Sequence, residues 1–540
     1  MLMAAFAPPA SAQDYLSRKI TLHAHQQRIT EVLHAAGTQG GFYFSYKSSL
    51  FREDSLVDIS INNKSVAYLL DRLFADRFRY LQQDRYLIIQ PKEAETYLIS
   101  GIITDKNTGE SVSNATIYEK EQLASTMSND QGYFQLQIKE RTPDISISIS
   151  KISYRDTVIR FNGKISGHVS VSITPEPYLL DSVIIFKSSG VEGTWLGRTF
   201  LSSRIRMNSL NLGGFFASRP YQFSLVPGLG SHGKMSGQVI NRFSFNVLGG
   251  YSAGVNGFEL GSIFNIVKQD AQYVQIAGIV NIVGGSSRGI QVGGIHNTVL
   301  GSLRGVQVSG TTGIVKKQMS GMQVAGLVSY ADSSRGAQIS GLVNISRRGA
   351  GGLQLAGLVN YTSIVKGVQI GLVNIADTSE GYSIGLINII RKGYHEVSFS
   401  TSEMQPVTIA FKTGNRRLYS ILMAGAQLNA DKKAYSLGYG IGHEAFLGKS
   451  ISLNPELCTL LFYQGNWSTT TQVSRLQVHL TVHLNKYIAL YAGPAVSLKF
   501  PDGGSVPAGY KPDIGSHYPS VAFGRGITAW IGWNAGISLF

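Results

Sequence analysis

Two hydrophobic periods divide the chain. Between residues 17 and 92, apolar positions alternate in KITLHAH and then follow helical spacing through Ile29, Val32, Leu33 and Ala36, with Gly37 after them. FYFSY returns to strand alternation, DISINNKSVAYLLDRLFADRF repeats the strand and helix order, and YLIIQ closes it, which predicts a small α/β unit of βαβ-βαβ order. From Leu98 onward the period is two almost throughout. Residues 97–175 alternate apolar and polar positions, broken at Asn107-Thr108-Gly109 and Asn129-Asp130-Gln131-Gly132, and predict a small β-sandwich. Residues 176–220 read as a linker, and strand patterning then runs from 221 to 540.

Within 257–390 one phrase recurs about every sixteen residues: VQIAGIVN, IQVGGIHN, GVQVSG, MQVAGLVS, AQISGLVN, LQLAGLVN and VQIGLVN. Its polar members are Gln275, Gln291, Gln307, Gln323, Gln338, Gln354 and Gln369, with Glu259 extending the series backwards. Asn265, Asn281, Asn297, Asn344 and Asn360 follow six residues after their partners. An even offset places both on one face of an unbroken strand and leaves the other face wholly apolar. The charges, from Arg288 and Arg304 to Asp377 and Glu380, fall outside these alternating stretches. An uncharged strand of nine or ten residues is ~30 Å long. Tilted, it matches the ~25 Å apolar band of a transmembrane β-barrel. Gln275, Asn281, Gln291, Asn297, Gln307, Gln323, Gln338, Asn344, Gln354 and Asn360 are then expected to line its lumen. The competing expectation is a soluble β-solenoid in which Asn and Gln stack in ladders. Asn374 and Asn388 fit the unbroken strand poorly, lying five residues after Gln369 and Ser383, and a bulge would be needed to restore their face.

After Arg391 the repeat ends while strands continue, through RLYSILMAGAQL, AYSLGYGIGHEAF, ISLNPELCTLLF, RLQVHLTVHL, YIALYAGPAVSLKF and GITAWIGWNAGISLF. Barrel closure requires such strands and a solenoid does not. The fold expected is therefore multidomain: a small α/β domain, a small β-sandwich, and a large antiparallel transmembrane barrel of about 14–18 strands over 221–540.

Several stretches resemble known families. ITLHAHQQRITEVLHAAGTQGGFYFSY, VDISINNKSVAYLLDRLF and YLIIQ resemble the short N-terminal (STN) domain of secretins and TonB-dependent receptors. That resemblance implies a periplasmic module contacting a protein partner, TonB-like or an anti-sigma regulator. Gly101, Asp105, Ala115 and Asp130-x-Gly132-x-Phe134 resemble the carboxypeptidase regulatory-like fold, a structural module without a peptidase site. Leu180, Asp181, Val183, Ile184 and Ile185 resemble a TonB-contact segment, although the roughly fifty residues that follow, Lys187 to Ser236, are short for a plug domain. The GLVN-type phrases followed by RKGYHEVSFS look like an uncharacterised surface-repeat group of outer-membrane proteins. The final Phe540 resembles the terminal aromatic by which such proteins are recognised for assembly.

Composition narrows the chemistry. Lys+Arg 48 against Asp+Glu 33 gives +15, but no dense basic run interleaved with aromatics points to nucleic acid. The lone Cys458 excludes an internal disulfide framework and a multi-cysteine metal site. MLMAAFAPPASAQ fits a signal-peptide end over residues 1–12, without the basic start of such a leader. No apolar run of ~18 residues predicts a transmembrane helix. His443-Glu444 lacks a nucleophile motif, while His479 and His483 on one strand, ~13 Å apart, and His23 and His25, ~7 Å apart, are too far for shared chelation. Asp105, Asn107 and Glu110 have turn spacing, not that of a twelve-residue calcium loop.

The expectation is a non-enzymatic outer-membrane protein without cofactor or metal, embedded in lipid. Its N-terminal modules would lie in the periplasm of a Gram-negative cell, and it would act as a pore, surface structure or signalling component. The alternatives are a divergent TonB-dependent receptor without a recognisable plug and a soluble periplasmic solenoid that binds polysaccharide.

Overall fold

The computed structural model describes residues 14–540 apart from 51–54, 93–95, 140–143, 163–166, 177–189, 428, 430–431, 468–469, 501–504, 516–517 and 525. The leader-like residues 1–12 and the TonB-contact segment Leu180 to Ile185 lie outside the described residues.

The N-terminal unit pairs strands Lys19–Arg28 and Leu56–Ser65 antiparallel, and each runs into a helix, α1 (Ile29–Gly40) or α2 (Val66–Phe74). The helical spacing read in the sequence buries Ile29, Val32, Leu33 and Ala36 on one side of α1, and Gly41 ends that helix in a left-handed conformation. Ser65 caps α2 by accepting from the Tyr68 N–H at 3.2 Å. A three-stranded sheet of Tyr43–Ser45, Tyr86–Pro91 and Phe78–Gln83 adds Leu87 and Ile89 to the core under Leu69, Leu70 and Phe74.

Two sheets form the sandwich. One orders Gly167–Ile173, Thr96–Asp105 and Tyr133–Lys139; the other orders Thr157–Asn162, Asp144–Ser150, Thr116–Glu119 and Ala124–Met127. Asp105 belongs to a turn: its carboxylate accepts from the Asn107 N–H (2.7 Å), the Thr108 N–H (3.0 Å) and the Tyr154 hydroxyl (2.9 Å). The Thr108 N–H, ahead of the other two donors, holds that carboxyl below the usual carboxylate range.

Part of the expected linker is folded. Thr194 and Ser202 cap two short helices, α3 (Trp195–Phe200) and α4 (Ser203–Asn211). Asn211 ties α4 to the sandwich, donating to Asn114 O (2.8 Å) and Thr116 Oγ1 (3.0 Å), and its own carbonyl accepts from Ser150 Oγ at 2.7 Å. Glu192 accepts from Ser209 Oγ (2.8 Å) and the Tyr251 hydroxyl (2.6 Å), closing the segment onto the strands that follow. These helices were illegible because α4, SRIRMNSLN, has no apolar stripe and owes its place to those polar contacts.

The repeats correct the barrel expectation. They do not form antiparallel staves: each is one coil of a parallel β-solenoid, in which Val274-Gln275-Ile276 pairs in register with Ile290-Gln291-Val292, and that segment with Val306-Gln307-Val308. Each coil has a long arm such as Ala271–Ala277 and a short arm such as Val280–Val283. Gly278-Ile279 turns the corner between them, and equivalent Gly-Leu pairs do so in later coils. The corner explains why period-two alternation misled. Gln275 and Asn281 share an inward direction because the chain folds back between them, not because they share a strand. In VQIGLVN the long arm is one residue shorter, and Gln369 and Asn374 still point inward, so no bulge is required.

The closed β-barrel is C-terminal and, among the described residues, has eight staves: Tyr394–Ser402, Val407–Asn415, Leu418–Gln427, Ala434–Gly442, Ile451–Tyr463, Thr470–His483, Ile488–Lys499 and Ile527–Leu539. Neighbours are antiparallel, and Val397 to Ser402 pairs with Leu539 to Asn534 to close the ring. The six post-repeat segments named from sequence all lie in it; the count of about 14–18 fails because the repeats do not join the wall.

Candidate functional site

Inside the solenoid the amides form continuous ladders. Gln275 Nε2 donates to Glu259 (2.8 Å), Gln291 to Gln275 (2.8 Å), Gln307 to Gln291 (2.7 Å) and Gln323 to Gln307 (2.8 Å). Gln338, Gln354 and Gln369 continue the series at 3.0, 2.9 and 2.9 Å. On the short arms, Asn265, Asn281 and Asn297 form one run. Asn344, Asn360, Asn374 and Asn388 form a second, which ends on Ser420 of the barrel at 2.5 Å. The ten residues expected to line a barrel lumen thus stand on the inner side of the coils, each at most 2% exposed. Asn281, Asn297, Asn344 and Asn360 also donate to backbone carbonyls of the neighbouring coil, so the ladders bind coil to coil.

Replacing Gln323 by leucine strips Gln307 of its donor and Gln338 of its acceptor. Leaving such groups buried costs about 1–3 kcal/mol. The unfolding free energy of the variant in urea is expected to fall by that amount relative to Met322→Leu, whose side chain points outward.

The barrel interior is also polar. Lys412, fully enclosed, lies 2.9 Å from Glu396 and 2.7 Å from Glu456. Glu456 accepts further from the Tyr419 hydroxyl and Gln477 Nε2, both at 2.8 Å, and Glu396 accepts from Ser538 Oγ and the Tyr394 hydroxyl. Towards the opposite rim Arg475 meets Glu403 at 3.0 Å, and Glu403 also accepts from Trp530 Nε1 and the Trp533 N–H. Side chains fill the bore: the space left between Lys412, Glu456, Arg475 and His479 amounts to about 20 Å³, room for about one water. Sequence reading missed this network. Its signal was parity, since Ala410 and Lys412, Glu456 and Cys458, and Arg475, Gln477 and His479 occupy the inward positions of otherwise apolar-outward strands.

The histidines considered as bases or ligands serve locally. His479 lies 3.7 Å from Glu456 and packs on Tyr491, while His483 contacts Ser452 (3.0 Å) and Glu444 (3.3 Å). His443 Nδ1 contacts Arg417 O at 2.9 Å, His23 meets Ser60, and His25 meets Asp58. Among the described residues no group of three or more His, Cys, Asp or Glu side chains could hold a metal ion.

The outside reverses the inside. On the barrel Phe399, Phe411, Leu437, Leu457, Leu461, Leu476, Leu480, Val496, Ile531 and Trp533 are all exposed. On the solenoid Ile290, Val308, Met322, Leu355 and Ile370 of the long arms and Leu327, Leu342, Leu358, Leu372 and Leu386 of the corners are exposed. A continuous apolar surface of this extent is abnormal for a protein surrounded by water. Among the described residues no helix is long and apolar enough to cross a membrane.

Residues 99–185 match the family model of the CarboxypepD_reg-like domain, in agreement with the sandwich over the described part of that range. No curated protein and no solved structure matches the chain.

Proposed function

We propose that this chain is an outer-membrane protein that acts as a closed, non-enzymatic anchor, holding its two N-terminal modules at the membrane for contact with envelope proteins. The inversion of polarity carries this reading. Two different β-architectures in one chain both bury amides or ion pairs and both present aliphatic and aromatic side chains outward, as lipid requires of a β-wall. The close packing between Lys412, Glu456, Arg475 and His479 favours an anchor over a pore. The periplasmic placement of the modules and a TonB-like or anti-sigma partner belong to the same proposal, and rest on the STN resemblance of residues 17–92.

Membrane fractionation with heat-modifiable gel mobility tests the reading. The folded protein is expected in the outer-membrane fraction, with a band that shifts on boiling. Protein soluble without detergent, with a band indifferent to boiling, would overturn it. In planar bilayers no stepwise conductance is expected. Placing arginine at Leu476, which is 50% exposed on the sixth stave, is expected to cost about 2–4 kcal/mol in vesicles if that position lies near the bilayer midplane. The urea midpoint of the vesicle-bound protein reads that loss.

A further inference from the structure

Resting on the membrane reading above, we infer that the solenoid is a half-depth wall: it is embedded in one leaflet only, with its glycine-leucine corners at the bilayer midplane and its charged edge among the headgroups.

The two edges of the coil stack differ in chemistry. One edge consists of the corners, where Leu342, Leu358 and Leu372 project into the surroundings at 38%, 45% and 47% exposure. The other carries Arg304, Arg335, Arg348 and Lys366, all exposed. Asp332 on that edge is clamped by Arg347 and Arg348, both at 2.7 Å. A full-height membrane wall needs a polar margin at both edges, and this one has a single polar margin. From Leu353 to the Leu358 corner is five residues of extended chain, ~17 Å, against ~15 Å for half of the ~30 Å hydrocarbon core.

The junction with the barrel fixes the level independently. On the charged side, the last coil meets the turn between the second and third staves. There Arg417 donates to Glu380 O at 2.8 Å and Asn415 Nδ2 to Gly381 O at 2.6 Å. On the apolar side, Gly385 O at the last corner accepts from Ser420 Oγ (2.6 Å) and the Tyr439 hydroxyl (2.9 Å). Tyr439 pairs with Leu422, in the middle of the Leu418–Gln427 stave. The coil therefore ends about halfway up the barrel. Below that level the outward side chains of the barrel wall are polar and buried under the coil, at Thr413, Asn415 and Ser420. Above it the same wall is bare and apolar, with Val407, Ile409 and Leu437 at 52%, 46% and 65% exposure.

The side of the membrane follows from the sandwich. Tyr118 and Leu123 pack with Val239, the first residue of its strand. Ile240, next to it, aligns with Gly254, and that series of strand starts continues through Ala271 and Ser287 beside Arg288 on the charged edge. The embedded leaflet is the one on the side of Tyr118 and Leu123 of the sandwich.

Nitroxide depth measurements on the full chain in phosphatidylcholine and phosphatidylglycerol vesicles test this. Single cysteines replace Arg348, Leu353, Leu355 and Leu358, with Leu372→Cys as a second corner and Leu461→Cys as the barrel control. Buried Cys458 makes the parent the unlabelled blank. Accessibility to oxygen relative to a water-soluble nickel chelate is expected to rise along 348, 353, 355 and 358 and to peak at both corners. Corners open to the chelate while Leu461→Cys is lipid-exposed would overturn the half-depth wall and leave the barrel reading standing. A peak at 355 that declines by 358 would mean the coil passes the midplane, and also overturns it. Chelate access at Leu461→Cys as well would remove the membrane reading and this inference with it.

Discussion

Lys412→Met is expected to be among the most damaging single changes in the barrel. The methionine has comparable length and would fill the space, so the loss is electrostatic. Glu396 and Glu456, each at most 3% exposed, would face one another across a bore with no cation between them. Removing one partner of a buried pair costs about 3–5 kcal/mol because the remaining charge stays desolvated, and here two carboxylates are left. Their remaining donors, Tyr394, Tyr419, Gln477 and Ser538, are neutral and compensate only in part. The variant is expected to lose the heat-modifiable folded band at a urea concentration where the parent keeps it. The triple variant Lys412→Met, Glu396→Gln, Glu456→Gln should recover much of the loss, since it removes the uncompensated charges. An equal loss in the single and triple variants would mean that packing around the Lys412 stem, not charge, sets the stability.

Much of this molecule was legible because alternation is a local property. Most strand positions and the helical face of α1 follow from which residues alternate with which. Which strand pairs with which is not local, and there the reading failed. A stave of nine uncharged residues and a coil with a corner in its middle carry the same period-two signal. Two features separated them in advance. A Gly precedes Ile or Leu at nearly every would-be mid-strand position, as at Gly278, Gly294, Gly326 and Gly341. The spacing is also sixteen from Gln275 to Gln323 and fourteen to sixteen beyond it, which aligns like on like when coils stack in parallel. An antiparallel hairpin would place Gln275 opposite an unrelated residue. The bore of the barrel was hidden for a different reason: Lys412, Glu456 and Arg475 are one or two charges per strand, and only closure of the ring brings them together.

Glycine at two fixed points recurs in the coils from Gly289 onward, Tyr273 holding the first point in the coil before, and Gly321→Val is expected to break the stack. Gly321 has φ +121°, a conformation that a β-branched residue does not adopt without strain. A Cβ there would also lie 2.1 Å from Gly305 O in the coil before it. The same collision recurs along the column, where Gly305 meets Gly289 O at 2.1 Å and Gly336 meets Gly321 O at 2.0 Å. A corner column repeats it, with Gly310 on Gly294 O at 1.9 Å and Gly326 on Gly310 O at 2.0 Å. GVQVSG, with Gly305 and Gly310 at its ends, thus marks the two places where successive coils approach backbone to backbone. Neither obstacle can move, because each is main chain hydrogen-bonded in register. Strain of about 1–2 kcal/mol from the dihedral and about 1–3 kcal/mol from overpacking give a loss of about 2–5 kcal/mol. Gly349→Ala is the control: the nearest atom to its Cβ is 3.6 Å away, and its effect should be close to zero. Limited proteolysis reads the difference. Cleavage between 300 and 340 in the Gly321 variant, with the barrel still heat-modifiable, is the expected pattern, because the eight staves close on themselves without the coils. Loss of the barrel band together with the coils would mean that the wall of the barrel depends on the solenoid docked against Ser420 and Tyr439.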